Sequence, residues 1–98
     1  LSNSDNNSNL PSNIVLCSPY PNPFNPVTNF DLYIPGQKTI SLDILNINGQ
    51  LIDNLINNEK LNGYYELSWS GAKYPSGVYF VRLQSKNNYI TKKVILVK

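Results

Sequence analysis

A turn that runs directly into a strand-forming stretch is the sequence feature that most constrains the fold, at Pro75-Ser76-Gly77 followed by residues 78–83. Proline presets one backbone dihedral, serine can bond nearby backbone and glycine admits positive φ, so these residues can turn the chain sharply. Beyond the turn, Tyr79, Val81 and Leu83 share one face, because strand side chains alternate with a period of two. That face suits a buried core, and the pattern predicts the central strand of a small β domain.

Further runs with the same alternation, separated by turn signals, extend over most of the chain. The predicted strands are residues 14–17, 27–34, 39–47, 51–56, 65–69, 78–83 and 89–97. Turns or loops are predicted at Pro35-Gly36, Asn48-Gly49, residues 57–60, Asn62-Gly63 and Ser70-Gly71. Asn-Gly is the strongest hairpin signal, and a type I′ turn there needs positive φ at both residues. Turn signals every ~8 to 12 residues, without a helical period, predict an all-β, immunoglobulin-like antiparallel β-sandwich of about seven strands.

The same alternation predicts which side chains form the core. Inward-facing positions are predicted at Phe30, Leu32, Ile34, Ile40, Leu42, Ile44, Tyr65, Leu67 and Trp69. We expect Trp69 at the centre of the core, because it offers the largest apolar area in the chain. Cys17 is interpreted as a small packed hydrophobe on an edge strand, since the chain contains no histidine that could activate it as a nucleophile.

Composition narrows the range of functions. The formal net charge of +2, from 8 Lys and Arg against 6 Asp and Glu, is too small to indicate binding to nucleic acid or to an acidic membrane surface. Histidine and methionine are absent and there is one cysteine, so neither a metal or haem cofactor nor an intrachain disulfide is expected. No apolar run approaches the ~18 to 20 residues of a transmembrane segment.

No catalytic constellation is predicted either. The acidic residues fall on different predicted strands and loops, which favours solvated carboxylates over a converging pair. Apart from Asp5 near the start of the chain, they are Asp31, Asp43, Asp53, Glu59 and Glu66. The polar first residues do not resemble a signal peptide, so the chain is expected to be either cytosolic or a fragment of an exported protein.

Two segments lie on either side of the first predicted strand, residues 14–17. Residues 1–13 are nearly all Ser, Asn and Asp and have almost nothing to bury, which predicts a flexible linker before a domain over residues 14–98. Residues 20–26 contain three alternating prolines, which forbid a helix and a central strand. Tyr20 and Phe24 are expected to clamp this proline-rich segment onto the edge of the domain.

Several motifs together resemble a known family over residues 20–98. They are Tyr20-Pro21-Asn22-Pro23-Phe24-Asn25-Pro26, Asn48-Gly49-Gln50, Gly63-Tyr64-Tyr65 with Trp69, Pro75-Ser76-Gly77-Val78-Tyr79 and Lys92-Lys93-Val94-Ile95-Leu96-Val97-Lys98. In content and order they resemble the type A C-terminal sorting domain of the type IX secretion system.

The resemblance implies a function and a set of partners. It implies an immunoglobulin-like, non-enzymatic signal at the end of a larger secreted protein, attached to an N-terminal cargo domain in the same polypeptide. The outer-membrane translocon would read the signal, and a sortase often then cleaves it and anchors the cargo to lipopolysaccharide. The cargo would be secreted or held at the cell surface after passage through the periplasm.

The resemblance and the basic last strand together give candidate residues for translocon recognition. These are Pro21, Asn22, Pro23, Lys92, Lys93, Ile95, Val97 and Lys98. Alternation places Ile95 and Val97 on the face opposite Val94 and Leu96, so apolar groups could lie beside lysines on an accessible patch.

Two other functions remain open from the residues alone. One is a structural or adhesive immunoglobulin-like spacer, which could occupy any position in a longer chain. The other is a carbohydrate-binding module, which would need exposed aromatic rings. The candidate rings are Tyr20, Tyr33, Tyr64, Tyr74 and Tyr89.

The linker interpretation predicts where a protease cuts first. Because residues 1–13 lack apolar anchors, limited digestion should produce its earliest cuts within them. Mass measurement of the products checks this, and first cuts within residues 27–97 would show that the domain boundary is wrong.

Overall fold

The computed structural model describes residues 13–86 and 88–98. The described residues form five strands and no helix. The strands are β1 (Val15–Leu16), β2 (Val27–Leu45), β3 (Leu51–Ser70), β4 (Gly77–Ser85) and β5 (Asn88–Leu96). Every pairing between them is antiparallel, so the all-β antiparallel prediction is confirmed. The predicted linker, apart from Asn13, lies outside the described residues.

The long strand β2 organises the sheet, because β1, β3 and β4 all pair with it. Its first half pairs with β1 and with the last part of β3, and its second half pairs with β4 and with the first part of β3. β4 lies between β2 and β5, as in the registers Ile44 with Val81 and Val81 with Lys92. The prediction of a central strand after Pro75-Ser76-Gly77 is therefore confirmed.

The predicted count of about seven strands is not reproduced, because two strands continue through residues predicted to end them. Pro35-Gly36 lies inside β2, and both residues 57–60 and Asn62-Gly63 lie inside β3. The pairing shifts register between Ile34 and Lys38 and then resumes. Positive φ values at Gly36 (76°), Asn58 (49°) and Gly63 (102°) provide irregular backbone there, so these residues bend paired strands instead of terminating them.

The hairpin between β2 and β3 is confirmed at Asn48-Gly49, but its predicted turn type is wrong. Gly49 has a positive φ of 81°, whereas Asn48 does not, and a type I′ turn needs both. The loop is also longer than two residues: the Gly49 N–H donates to the Asn46 carbonyl at 2.9 Å, and the Asn46 N–H donates to the Gln50 carbonyl at 2.9 Å. The Asn46 side-chain oxygen accepts from the N–H groups of Asn48 and Gln50, which holds this wider loop.

The core follows the predicted alternation. Side chains from all five strands and from Phe24 form one buried cluster. Its strand members include Leu16, Phe30, Leu32, Ile34, Ile40, Leu42, Ile44, Ile56, Trp69, Tyr79, Val81, Leu83, Val94 and Leu96. Tyr65 and Leu67 are partly buried and pack against this cluster.

Trp69 lies at the centre of an aromatic group, as predicted. Its side chain is 2% exposed, and its ring centroid lies 5.6 Å from the centroids of Phe24, Tyr74 and Tyr79. The indole Nε1–H donates to Asp53 Oδ2 at 2.9 Å, which satisfies the polar atom of an otherwise apolar ring. Trp69 thus connects β3 with β4, the loop between them and the proline-rich segment.

Cys17 is exposed, so the prediction that it packs as a small hydrophobe is wrong. It directly follows β1, where Val15 is exposed and Leu16 is buried. Because side chains alternate along an extended chain, the residue after inward-facing Leu16 points outward.

The position of Trp69 predicts a large stability loss for Trp69→Ala. Removing a buried aromatic ring should lower the free energy of unfolding by ~3 to 5 kcal/mol through lost burial and a residual cavity. Chemical denaturation measures this, with Tyr64→Ala as a control because Tyr64 is 82% exposed. Similar losses for the two variants would contradict the central role of Trp69.

Candidate functional site

The proline-rich segment, residues 20–26, lies along the edge of β5 that does not face β4. The Phe24 N–H donates to the Ile95 carbonyl at 2.8 Å, and the Val97 N–H donates to the Phe24 carbonyl at 2.9 Å. Phe24 thereby forms a parallel bridge with Leu96. The segment therefore covers the last part of an edge that would otherwise present unpaired backbone groups.

Asn22 extends this covering with its side chain. Its Oδ1 accepts from the Ile95 N–H at 2.9 Å, and its Nδ2 donates to the Lys93 carbonyl at 3.0 Å. The residues on either side, Pro21 and Pro23, have no N–H to donate to a strand. A side-chain amide carries both a donor and an acceptor, so Asn22 supplies the pair of bonds that a neighbouring strand would make.

Phe24 fixes the segment to the core. Its ring is 2% exposed and packs on Trp69, which confirms the predicted clamp at this position. The predicted clamp at Tyr20 is wrong, because Tyr20 is 78% exposed and is held by its backbone, which pairs with Asn29.

Gly71 is needed beneath this contact. A Cβ at this residue would lie 2.8 Å from Leu96 Cδ2 and 3.4 Å from Phe24 Cε2. The Gly71 N–H donates to the Pro26 carbonyl at 2.7 Å. The side chains of Leu96 and Phe24 therefore fill the space that a side chain at residue 71 would occupy, which requires glycine there.

The predicted recognition residues are partly brought together. Asn22 is bonded to β5 at Lys93 and Ile95, and Pro21 and Pro23 flank it, with the Pro21 carbonyl accepting from Thr28 Oγ1 at 2.7 Å. Lys93 is exposed and Ile95 is half-buried. Val97 is 49% exposed and adjoins the same segment through its bond to Phe24.

The other two lysines lie apart from this group. Lys92 pairs with the inward-facing Val81, so it shares the inner side of β5 and is half-buried. Lys98 is tied to the loop before β4: its Nζ donates to the Ala72 carbonyl at 2.7 Å and its N–H donates to Ser76 Oγ at 3.0 Å.

The register adds three residues that the site prediction missed. Phe80 pairs with Lys93 on one side and Leu45 on the other, and Val78 pairs with Ile95. Leu45 is 8% exposed yet lies outside the main core cluster. We call the surface formed by Leu45, Val78, Phe80, Lys93, Ile95 and Val97 the outer face. The alternation of β4, which separates Val78 and Phe80 from the core positions, was the available signal for them.

The charges beside the outer face are arranged around Arg82. Its guanidinium Nη2 lies 3.5 Å from Asp43 Oδ2 and its Cζ lies 5.8 Å from the centroid of the Tyr89 ring. Asp43 also accepts from Asn54 Nδ2 at 2.6 Å. Within the described part of the chain, Lys93 has no carboxylate within 4.0 Å, so it is the cation that the outer face offers to a partner.

The turn that begins β4 is held by Tyr79. Its hydroxyl donates to the Pro75 carbonyl at 2.6 Å. Burial and the neighbouring Tyr74 raise the pKa of Tyr79 above its ordinary value. The hydroxyl therefore stays protonated, and remains a donor, at a pH where a solvated tyrosine would begin to ionise.

Two further findings concern the possible metal ligands and the helices of residues 13–86 and 88–98. No three or more acidic or cysteine side chains there are grouped to hold a metal ion. That part of the chain also has no helix of the length and apolarity that a membrane crossing requires.

Comparison with known families identifies the chain. The family model described as "Secretion system C-terminal sorting domain" matches residues 18–98. A search among curated proteins gives no match. The match covers most of the chain, from Ser18 through the proline-rich segment and strands β2 to β5. The chain therefore belongs to this family of type IX secretion sorting domains.

Family membership confirms the predicted function. The domain is a C-terminal sorting signal for type IX secretion, attached to a cargo and recognised by that system. It belongs to a signal family and not to a family of enzymes. Secretion across the outer membrane follows for the cargo.

The bonds made by Asn22 predict a local effect of Asn22→Ala. The Ile95 N–H loses its acceptor, so its hydrogen exchange should accelerate by about tenfold, and the free energy of unfolding should fall by about 1 to 2 kcal/mol. Asn25→Ala is the matched control, because Asn25 also precedes a proline and is exposed. Equal exchange at Ile95 in both variants would show that the Asn22 bonds do not hold the segment.

Proposed function

We propose that the translocon reads the outer face of this sorting domain, with the proline-rich segment bordering it. The observation that carries the proposal is that Asn22 and Phe24 bond directly to the backbone of Lys93, Ile95 and Val97. These bonds bring Asn22 together with Lys93, Ile95 and Val97, which are distant in sequence, at one edge of the sheet.

The chemistry of the outer face suits a protein partner. Val97 is 49% exposed, and Ile95, Val78 and Phe80 are half-buried, so apolar area remains to be covered. Apolar contact would supply most of the affinity, whereas Lys93 at the rim would mainly set the encounter rate and the orientation. Lys92 and Lys98 would act indirectly, by keeping β5 and the loop before β4 in position.

The proline-rich segment contributes order to this surface. A strand with an open edge can pair with other chains and can fray. Because Asn22 and Phe24 occupy the edge of β5, the face is displayed in one register. Pro21 and Pro23 keep the segment from extending the sheet further, since they cannot donate backbone bonds.

The finer features of the family complete the proposal. The bends in β2 and β3 divide each strand into two parts, so the sheet can correspond to the seven strands of an immunoglobulin-like sandwich. The cargo would pass through the periplasm and be released or held at the cell surface, where a sortase would cleave the domain and attach the cargo to an anchor. The domain itself would have no catalytic role.

Neither alternative function is favoured by a specific observation. Of the five candidate rings for a sugar-binding platform, Tyr74 stacks on Trp69 and donates its hydroxyl to the Ile52 carbonyl at 3.0 Å. Tyr89 lies beneath the Arg82 guanidinium. A function as a spacer would not require that a second segment hold β5 in place.

A reporter fusion tests the recognition surface. Residues 1–98 are attached after a reporter with an ordinary export signal, in a host with the type IX system. Lys93→Glu combined with Ile95→Ser should lower secretion by about tenfold while the melting temperature stays within about 5 °C of the parent. Deleting residues 94–98 should abolish secretion, because β5 and its bonds to Phe24 are lost.

Lys60→Glu is the control for charge, because Lys60 is exposed on β3 and lies away from the outer face. Undiminished secretion of the Lys93→Glu, Ile95→Ser variant would place recognition elsewhere. Retention of the parent fusion in the periplasm, with a folded domain and a working translocon, would show that these residues do not suffice as a signal in that host.

A further inference from the structure

Two carboxylates face each other across β2 and β3, on a part of the sheet that the outer face does not include. Asp31 and Glu66 are direct register partners, and both are exposed. Like charges directly opposite one another on neighbouring strands destabilise a sheet. Among the described residues, neither carboxylate has a lysine or arginine within 4.0 Å. In this part of the structure, the repulsion within the pair is therefore moderated by solvent and not by a cationic side chain.

Two tyrosines form the next outward-facing pair along the same strands. Tyr33 and Tyr64 are register partners, and their ring centroids lie 4.6 Å apart with an interplanar angle of 38°. Tyr64 is 82% exposed. An aromatic surface thus lies directly beside the carboxylates, and it remains open to a ligand.

The same residues line a groove. One concavity of about 520 Å³ is bounded by Tyr20, Asn29, Asp31 and Glu66, together with nearby serines. A second, of about 490 Å³, is bounded by Asp31, Glu66, Tyr33 and Tyr64 together with Val15 and Cys17. Because both concavities are lined by the two carboxylates, Asp31 and Glu66 lie where the concavities adjoin, and the two together form the groove. Concavities of this volume suit the side chains of an extended peptide.

We propose that this groove binds an arginine side chain on an extended segment of a partner protein. A guanidinium is planar and has five donors, so it can bridge two adjacent carboxylates and also stack on a tyrosine ring. Binding would neutralise the repulsion between Asp31 and Glu66, which adds a gain that a neutral ligand such as a sugar could not provide.

The negative charge of the groove also decides whether the first residues of this chain could occupy it. The sequence of residues 1–12 contains no lysine or arginine and includes Asp5, so this segment lacks the required cation. The proposed occupant is therefore a partner protein that supplies the arginine. This inference does not depend on translocon recognition of the outer face, because the two surfaces share no residue.

The test uses a fluorescent peptide, Gly-Arg-Gly-Arg-Gly-Arg, titrated with the folded domain and followed by anisotropy. We expect a Kd below about 1 mM at low salt. The same peptide with citrulline in place of arginine is neutral and nearly isosteric, and should bind at least about tenfold more weakly. A lysine version should also bind more weakly, because an ammonium cannot bridge the carboxylates in a plane.

Variants of the domain locate the site. Asp31→Asn with Glu66→Gln should weaken arginine-peptide binding by about tenfold or more and raise the melting temperature, because the repulsion disappears. Tyr64→Ala should weaken binding by about threefold or more with little change in stability. Glu59→Gln is the matched control: Glu59 is an exposed acid of β3 outside the groove, and its loss should leave binding unchanged.

The proposal is overturned by any of three results: no binding of the arginine peptide up to about 1 mM, equal affinity for the lysine or citrulline peptide, or undiminished binding by the Asp31→Asn, Glu66→Gln variant. An equal loss of peptide affinity in that variant and in Glu59→Gln would also overturn it, because the peptide would then respond only to the overall negative charge of the domain.

Discussion

The contact of Phe24 with Trp69 and Leu96 is the interaction on which the rest of the structure depends. Phe24 comes from a segment whose prolines prevent it from joining the sheet by a regular ladder, so its ring and its two backbone bonds to β5 must hold it. Gly71 leaves the necessary space, since a Cβ there would lie 2.8 Å from Leu96 Cδ2. Through this contact the beginning of the domain stabilises its last strand.

If the translocon reads the outer face, as proposed, that dependence would explain why the sorting signal is a whole folded domain. One short strand and the residue after it carry Lys93, Ile95 and Val97. An isolated strand would not hold these side chains in position. β4 holds one edge of β5, while Asn22 and Phe24 hold the other. Under the proposal, a receptor that reads many cargoes would meet a surface whose geometry does not vary with the protein attached to it.

Much of the architecture was predictable because local alternation determines which residues point inward. This reasoning gave the buried faces of β2 and β4 and the central place of Trp69. It failed at turn signals inside long strands. Pro35-Gly36 can either end a strand or bend it, and pairing with residues distant in sequence decides between the two outcomes. Asn22 bonds to Lys93 and Ile95, more than seventy residues away, so only the order of motifs, through the family resemblance, connected them beforehand.

The outer face and the groove differ in the kind of energetic cost that each one leaves for a partner to remove. The outer face leaves apolar side chains in contact with water, a cost that a partner can remove by burial. The groove leaves Asp31 opposite Glu66, a cost that a partner can remove only by supplying positive charge. Salt screens the second interaction much more than the first. Association through the outer face should therefore persist as ionic strength rises, whereas association through the groove should weaken, so a salt titration separates the two surfaces without any mutation.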